Sequence, residues 1–132
     1  MTEHPNAALV RRAMQAMSEQ DMSKAQEEMA VVDAFMADDI VWHEIGRTEP
    51  RRGKDELRAA MMGGAQDYSV AYEIHDVVAN DDHAVALGTA TATRGDATLE
   101  YRTAEIFHIR DGKIVERWAF SDDTAAIVAF FA

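Results

Sequence analysis

The fold is decided by the stretch Ala37-Asp38-Asp39-Ile40-Val41-Trp42-His43-Glu44-Ile45-Gly46-Arg47-Thr48-Glu49-Pro50-Arg51-Arg52-Gly53. A helical pattern ends here at the paired aspartates, and another begins after the final glycine. Between them, Trp42, His43 and Glu44 stand among apolar residues in a short segment that is typical of a strand. We expect this strand to place aromatic and ionisable side chains in a cavity whose walls are formed by the rest of the chain.

Length and composition favour one globular domain that spans residues 1–132. The chain has 132 residues, of which 48% are apolar and 28% charged, enough to build a hydrophobic core. Its formal net charge of -11 disfavours binding to nucleic acid or to an anionic membrane. The absence of cysteine excludes disulfides and thiolate chemistry. Because neither a signal peptide nor an apolar run of about 20 residues is present, we expect a cytoplasmic protein.

Three segments carry the apolar spacing of amphipathic helices. The first begins after Asn6, a residue type that caps helices, and the second begins at Ser23 and ends near Asp38. The third runs from Lys54 to Met62 and ends at a glycine pair. The apolar stripes of the first two helices comprise Leu9, Val10, Ala13, Met14 and Met17, then Ala25, Met29, Val32, Phe35 and Met36.

From residue 69 onward the period changes from helical to two, which predicts four strands joined by tight turns. The strands are expected at Ser69 to Ala79, His83 to Thr93, Leu99 to Arg110 and Lys113 to Phe120, with a short apolar tail from Thr124 to Ala132. Sequential hairpins build an antiparallel sheet, and the helices must cover one of its faces. The predicted fold class is therefore α+β: a cone in which a curved, mainly antiparallel sheet packs against about three N-terminal helices and encloses a pocket.

The third of these strands has the clearest alternation. One of its faces is mostly apolar and should point inward, and it comprises Leu99, Tyr101, Thr103, Glu105, Phe107 and Ile109. Glu105 is therefore predicted to be a carboxylate on the buried side of the sheet. Burial and unequal surroundings can adapt such a group to general acid or base catalysis.

The element order and several motifs resemble the nuclear transport factor 2-like superfamily, and within it the SnoaL-type polyketide cyclases and the ketosteroid isomerases. The motifs are Ala37-Asp38-Asp39, Trp42-His43-Glu44, the loop Gly46 to Gly53, Asp111-Gly112-Lys113-Ile114, Glu116, Trp118, Phe120 and Asp122. The resemblance covers nearly the whole chain. It implies a cone-shaped fold, an enclosed pocket and a homodimer. The superfamily includes enzymes, binding proteins and scaffolds alike, so the resemblance alone does not decide between these functions.

The resemblance also implies roles for individual residues. Set against the ketosteroid isomerases, Glu44 matches the general base and Glu105 matches the acid that binds the oxyanion. The family's donor tyrosine belongs on the first helix, but this chain has no tyrosine before Tyr68, so Tyr72 or Tyr101 would have to replace it. Set against the cyclases, Asp122, four residues after the late tryptophan, matches a pocket acid.

Each candidate also has a structural interpretation. Glu105 could pair with an arginine such as Arg47, and Glu44 could point to solvent. His43 could transfer protons at neutral pH or simply bond a backbone carbonyl. Asp122 could cap a helix in the C-terminal tail. No two histidines have metal-ligand spacing, so no metal site is predicted.

The leading hypothesis is a small, cofactor-free enzyme of the cyclase or isomerase type, which transfers protons on a small apolar carbonyl compound. The catalytic candidates are Glu44, Glu105, His43 and Asp122, and the pocket candidates are Trp42, Tyr72, Tyr101, Phe107, Trp118, Met14 and Met17. A hydrolytic variant would use the same carboxylates to activate water. The alternatives are a module that binds a small apolar ligand without turnover, and a dimeric scaffold whose pocket is filled.

Overall fold

The structure, a computed structural model, describes residues 3–19, 30, 32–62 and 68–132. Its helices with defined bounds are α1 (Pro5–Glu19), α2 (Gly53–Met62) and α3 (Thr124–Phe131). Its strands are β1 (Met36–Trp42), β2 (Arg51–Arg52), β3 (Tyr68–Ala79), β4 (His83–Arg94), β5 (Ala97–Arg110) and β6 (Lys113–Ser121). The α+β prediction is confirmed, and the four predicted C-terminal strands are all present.

All six strands form one sheet in the order β2-β1-β6-β5-β4-β3. The four long strands β3 to β6 pair as consecutive antiparallel hairpins, as the turn residues predicted. In the turn after β5, Asp111 and Gly112 both have positive φ, 53° and 74°, which suits the short hairpin connection. The exception to the antiparallel pattern is β1, which runs parallel to β6.

The boundary between the second helix and β1 differs from the prediction. The strand begins at Met36, whereas the helical pattern was expected to continue to about Asp38. Met36 and Ile40 are buried and the two aspartates between them are exposed, and Met36 pairs with Ile114 of β6. Tertiary pairing therefore converts the last residues of the helical pattern into strand. Residues 32–35 are helical, and the rest of the predicted second helix lies outside the described residues.

The hydrophobic core lies between the helices and one face of the sheet. The helix α1 packs against β3 and β4, while α2 packs against β1 and β2. The largest fully buried side chains of the core are Phe107, Met36, Ile40, Ile114, Val10 and Val32. We call the sheet face that carries this core the inner face and the opposite one the outer face. No helix in the described part of the chain is long and apolar enough to cross a membrane.

The outer face carries apolar side chains that no described element covers. Val78 and Leu87 on β3 and β4, and Phe120 at the end of β6, are among the exposed large hydrophobic residues. The homodimer that the resemblance implies stays a prediction.

Candidate active site

An ion pair between Glu105 and Arg117 occupies the middle of the inner face. The Glu105 side chain is 8% exposed and that of Arg117 is 12% exposed, so both charges are withdrawn from water. Arg117 donates hydrogen bonds to Oε1 of Glu105 from Nε, at 3.0 Å, and from Nη2. The other carboxylate oxygen, Oε2, is fully buried and has no hydrogen-bond partner among the described residues. One oxygen of Glu105 is thus fixed by a cation, and the other is available.

The antiparallel ladder explains how these two residues meet. Glu105 of β5 pairs with Ala119 of β6, and Phe107 pairs with Arg117. Residues two apart on a strand share a face, so Arg117 lies on the same side as Glu105 and close to it. On its far side, the guanidinium stacks over Trp42 of β1, with Cζ 4.4 Å from the ring centroid. This cation–π contact places the predicted pocket residue Trp42 beside the ion pair.

Two hydroxyl groups lie near the carboxylate, one on β5 itself and one on β3, two strands away in the sheet. Tyr72 of β3 and Thr103 of β5 share a hydrogen bond between their hydroxyl oxygens. The Tyr72 ring lies across Gly88 of β4, where a Cβ would come within 2.6 Å of the ring. Glycine at this position therefore leaves room for the phenol on the inner face.

The same surroundings keep the two inner-face tyrosines protonated. Burial raises the pKa of Tyr72 well above its usual value of 10.0, and the negative charge of Glu105 adds to the effect. Burial likewise raises the pKa of Tyr101, with Glu105 again the second cause. Both phenols are therefore hydrogen-bond donors throughout the neutral range.

This pKa shift makes a prediction for alkaline pH. Above pH 10 the unfolded chain loses the Tyr72 and Tyr101 protons while the folded chain retains them, so stability should fall as pH rises through this range. A near-ultraviolet absorbance titration should show delayed phenolate formation in the wild type, and Tyr72→Phe should remove one delayed step. A single phenolate transition for all three tyrosines, with its midpoint near pH 10 in the folded protein, would contradict the burial of both hydroxyls.

Glu44 lies at the edge of this site. It follows the end of β1, and its carboxylate accepts a hydrogen bond from Nε of Arg51, at 2.8 Å. Its side chain is 38% exposed, so it is far better solvated than Glu105. The two carboxylates have separate arginine partners, Arg51 for Glu44 and Arg117 for Glu105, and they differ in exposure.

His43 lies on the outer face. Its Nε2 is 2.9 Å from Oε2 of Glu116, and its ring stacks on Trp118 with centroids 5.4 Å apart. His108 also contacts Trp118, edge to face at 4.8 Å. Trp118 therefore lies on the opposite side of the sheet from Glu105, which differs from its predicted place in the pocket. A base at His43 would likewise need a substrate on the outer face.

The remaining candidates have structural contacts. Asp122 accepts a hydrogen bond from the backbone N–H of Arg102 and donates its own N–H to the Arg102 carbonyl, so it continues the ladder beyond β6. The cap of α3 is Asp123, not Asp122. Phe107 and Met14 are buried members of the core. The side chain of Met17 lies outside the described part of the structure.

A polar hollow of about 390 Å³ lies elsewhere, at the start of α2. Its lining comprises Asp33, Asp38, Arg52, Gly53, Lys54, Asp55 and Arg58. Its carboxylates already bind its cations: Lys54 lies 3.2 Å from Asp38, and Arg58 bonds Asp33, which lowers the pKa of that carboxyl. Among the described residues, no group of three or more potential ligands is arranged to hold a metal.

Sequence reasoning missed Arg117, the residue that organises the site. A signal was available, because an inward-facing carboxylate requires a cation or several donors. Arg47, the partner named from the sequence, instead donates from Nε to the carbonyl of Glu49 in its own loop. The alternation of β6 predicts that Arg117 faces inward only if the register of β6 against β5 is known.

Comparisons with solved structures show other proteins that share this fold. The chain resembles Bal32a from a soil-derived mobile gene cassette, with a TM-score of 0.76, 20% identity and 97% of each chain covered. It also resembles a candidate SnoaL-like polyketide cyclase from Jannaschia sp. CCS1, with a TM-score of 0.73, 14% identity, and 100% and 98% of the two chains covered. An LEH-like epoxide hydrolase of M. tuberculosis gives a TM-score of 0.71 and 19% identity, over 96% of this chain and 92% of the other. At these identities the likeness shows a shared fold.

No curated protein matches the sequence. The family model that matches is the SnoaL-like domain, over residues 10–117, which include α1 from Val10 onward, all of β1 to β5 and β6 as far as Arg117. The element order and this match agree with the resemblance stated from the sequence. The chain belongs to the SnoaL-like domain family, within the nuclear transport factor 2-like superfamily.

Proposed function

We propose that this protein is a cofactor-free enzyme that transfers a proton on a small, uncharged carbonyl compound, with Glu105 as the base. The observation that carries the proposal is the unpartnered Oε2 of Glu105, buried on the inner face while Arg117 holds Oε1. Burying a carboxylate oxygen without a hydrogen bond costs stability, and such groups are commonly found where chemistry needs them.

The proposed step is an enolisation. Oε2 of Glu105 takes a proton from the carbon next to the substrate carbonyl, and the electron pair of that C–H bond moves toward the carbonyl oxygen. The Tyr72 hydroxyl donates a hydrogen bond to this oxygen as its negative charge develops. Glu105 then returns the proton to a different carbon, which gives isomerisation. Alternatively, the enolate carbon attacks a second carbonyl carbon of the same molecule, the π electrons of that C=O bond move to its oxygen, and Glu105 gives this oxygen the proton, which leaves a ring that carries a hydroxyl group.

These roles revise those that the resemblance implies. Arg117 has only N–H donors, so the Glu105 oxygen that it contacts acts as an acceptor and not as the donor to an oxyanion. Tyr72, and Tyr101 on the same face, are the neutral donors instead. The missing tyrosine of the first helix is thus replaced in this proposal by tyrosines of the sheet, and the base moves from Glu44 to Glu105.

Hydrolysis is the second candidate, and one observation favours it. The carboxylate with a free oxygen next to an arginine and a phenol could hold and deprotonate a water, and a structural neighbour is an LEH-like epoxide hydrolase. In that reaction Glu105 would take a proton from water, the oxygen would attack a carbon of the substrate, and Tyr72 would donate to the leaving oxygen.

The test is a deuterium-exchange screen in heavy water. Neutral enolisable ketones and β-dicarbonyl compounds are incubated with wild-type protein and with Asp122→Asn, which changes a carboxylate that bonds only backbone groups. We expect both proteins to accelerate deuterium uptake above the buffer rate for at least one compound. Compounds that bind without any exchange would support the non-catalytic binding module. Exchange that is lost in Asp122→Asn would transfer the role of base to that residue.

A further inference from the structure

We propose that Glu116, on the outer face of the sheet, is a positioning residue for the inner-face site and acts through His43 on Arg117. The inference rests on the proposed function, in which Arg117 fixes one oxygen of Glu105. It assigns a role in the site to a side chain that lies on the other side of the sheet.

The inner half of this connection consists of one hydrogen bond from the Arg117 side chain to the backbone and one between backbone groups. Nη1 of Arg117 donates to the carbonyl oxygen of His43 at 2.9 Å, and the His43 N–H donates to the carbonyl oxygen of Arg117 at 2.9 Å. The guanidinium therefore bridges the Glu105 carboxylate and the backbone at residue 43. A displacement of the His43 peptide would move one of the anchors that orient Arg117.

The outer half fixes the His43 side chain. Its imidazole bonds Glu116 at 2.9 Å and lies parallel to the Trp118 ring, with an interplanar angle of 6°. The second oxygen of Glu116 is 3.6 Å from Nδ1 of His108. The Glu116 and His43 side chains are 27% and 29% exposed, so this contact is substantially shielded from water.

His43 needs this support because it lies beyond the regular part of the sheet. The strand β1 ends at Trp42, and its pairing with β6 is interrupted between Met36 and Val41. On its other side β1 pairs only with the two residues of β2. Few ladder hydrogen bonds therefore hold the end of β1, and the His43–Glu116 contact supplies a cross-strand tie.

Arginine side-chain NMR of four test variants, with Arg117→Lys as a fifth for signal assignment, tests the proposal directly. The Nε–H signal of Arg117, assigned by its loss in Arg117→Lys, reports whether the guanidinium remains bound to Glu105. Glu116→Ala removes the tie, while Glu116→Gln keeps an acceptor oxygen for the imidazole. His43→Phe keeps the ring that stacks on Trp118 but removes the hydrogen bond. The matched control is His75→Ala, because His75 is exposed and bonds only Thr89.

We expect the Arg117 Nε–H to exchange with water about fivefold or more faster in Glu116→Ala and in His43→Phe than in the wild type, as loss of one hydrogen bond allows. In Glu116→Gln and in His75→Ala the exchange should remain within about twofold of wild type. An unchanged exchange rate of the Arg117 Nε–H in Glu116→Ala would overturn the proposal. An exchange rate that rises as much in Glu116→Gln as in Glu116→Ala would overturn it too.

This readout does not depend on turnover. If the exchange of Arg117 responds to Glu116→Ala but no substrate reacts, the positioning role stands and the proposed reaction fails. If turnover occurs and Arg117 does not respond, the reaction stands and the positioning role fails. Amide spectra of each variant, compared with wild type, establish that the fold is retained before either conclusion is drawn.

Discussion

Glu105→Gln is expected to lower the rate of proton transfer by about 10²–10⁴-fold, the usual contribution of one general base. Glutamine retains the size of the side chain and an oxygen that can accept the Arg117 hydrogen bonds, so the site should keep its shape. It cannot take up a proton at the buried position of Oε2. The loss should therefore appear in the turnover number, with little change in the substrate concentration for half-maximal rate.

The matched control for this prediction is Glu44→Gln, which neutralises the other candidate carboxylate at the solvated edge of the site. We expect it to change the rate by less than about tenfold, because its influence on the reacting atoms is limited to local charge. Rates are measured with the compound that exchanges deuterium fastest in the wild type. A large loss in Glu44→Gln, with Glu105→Gln near wild type, would restore the assignment of the base to Glu44.

Arg117→Met is expected to lower the free energy of unfolding by about 3–5 kcal/mol, because it leaves a buried carboxylate without its cation. The Glu105 side chain is only 8% exposed, so water cannot replace the lost hydrogen bonds. A domain of this size has about 5–15 kcal/mol of total stability, so the variant should unfold well below the wild-type temperature. Urea unfolding, monitored by tryptophan fluorescence, measures the difference.

Two further variants make this result specific. Arg110→Met removes an arginine that is 64% exposed and lies 3.6 Å from Asp39, and it should change stability by less than about 1 kcal/mol. The double variant Glu105→Leu with Arg117→Met replaces the whole pair by apolar groups and should recover most of the loss. A cost for Arg117→Met as small as that of Arg110→Met would mean that water reaches the Glu105 carboxylate.

The alternation of β5 was sufficient to predict that Glu105 faces inward, because most residues that share its face are apolar, and Phe107 and Ile109 beside it are buried. The partner of Glu105 was not predictable in the same way. A bulge between His108 and Ile109 shifts the register of β5 against β6. A shift of one residue exchanges the two faces of a strand, so the sequence of β6 alone leaves Arg117 and Trp118 equally eligible for the inner face.

The central stretch shows a similar division. Its strand and the helix after Gly53 were predictable from apolar spacing, but which face of the strand is buried was not. Ile40 and Trp42 proved to belong to the inner side and His43 to the outer side. Glu44 lies past the end of β1, where the alternation of a strand no longer decides which way a side chain points. The Glu44 side chain is instead directed by its ion pair with Arg51.

The parallel pairing of β1 with β6 has a consequence for how the protein acquires its site. Arg117 and His43, which bond each other across that pairing, lie 74 positions apart along the chain, whereas the hairpins join neighbouring strands through turns of a few residues. Closing so long a loop costs roughly 3 kcal/mol more chain entropy than closing a tight turn. The hairpins that carry Tyr72, Thr103 and Glu105 can therefore form locally, while Arg117 gains its anchor only when the two halves of the chain meet. The anchoring of Arg117 to the His43 carbonyl therefore forms together with the long-range closure of the fold.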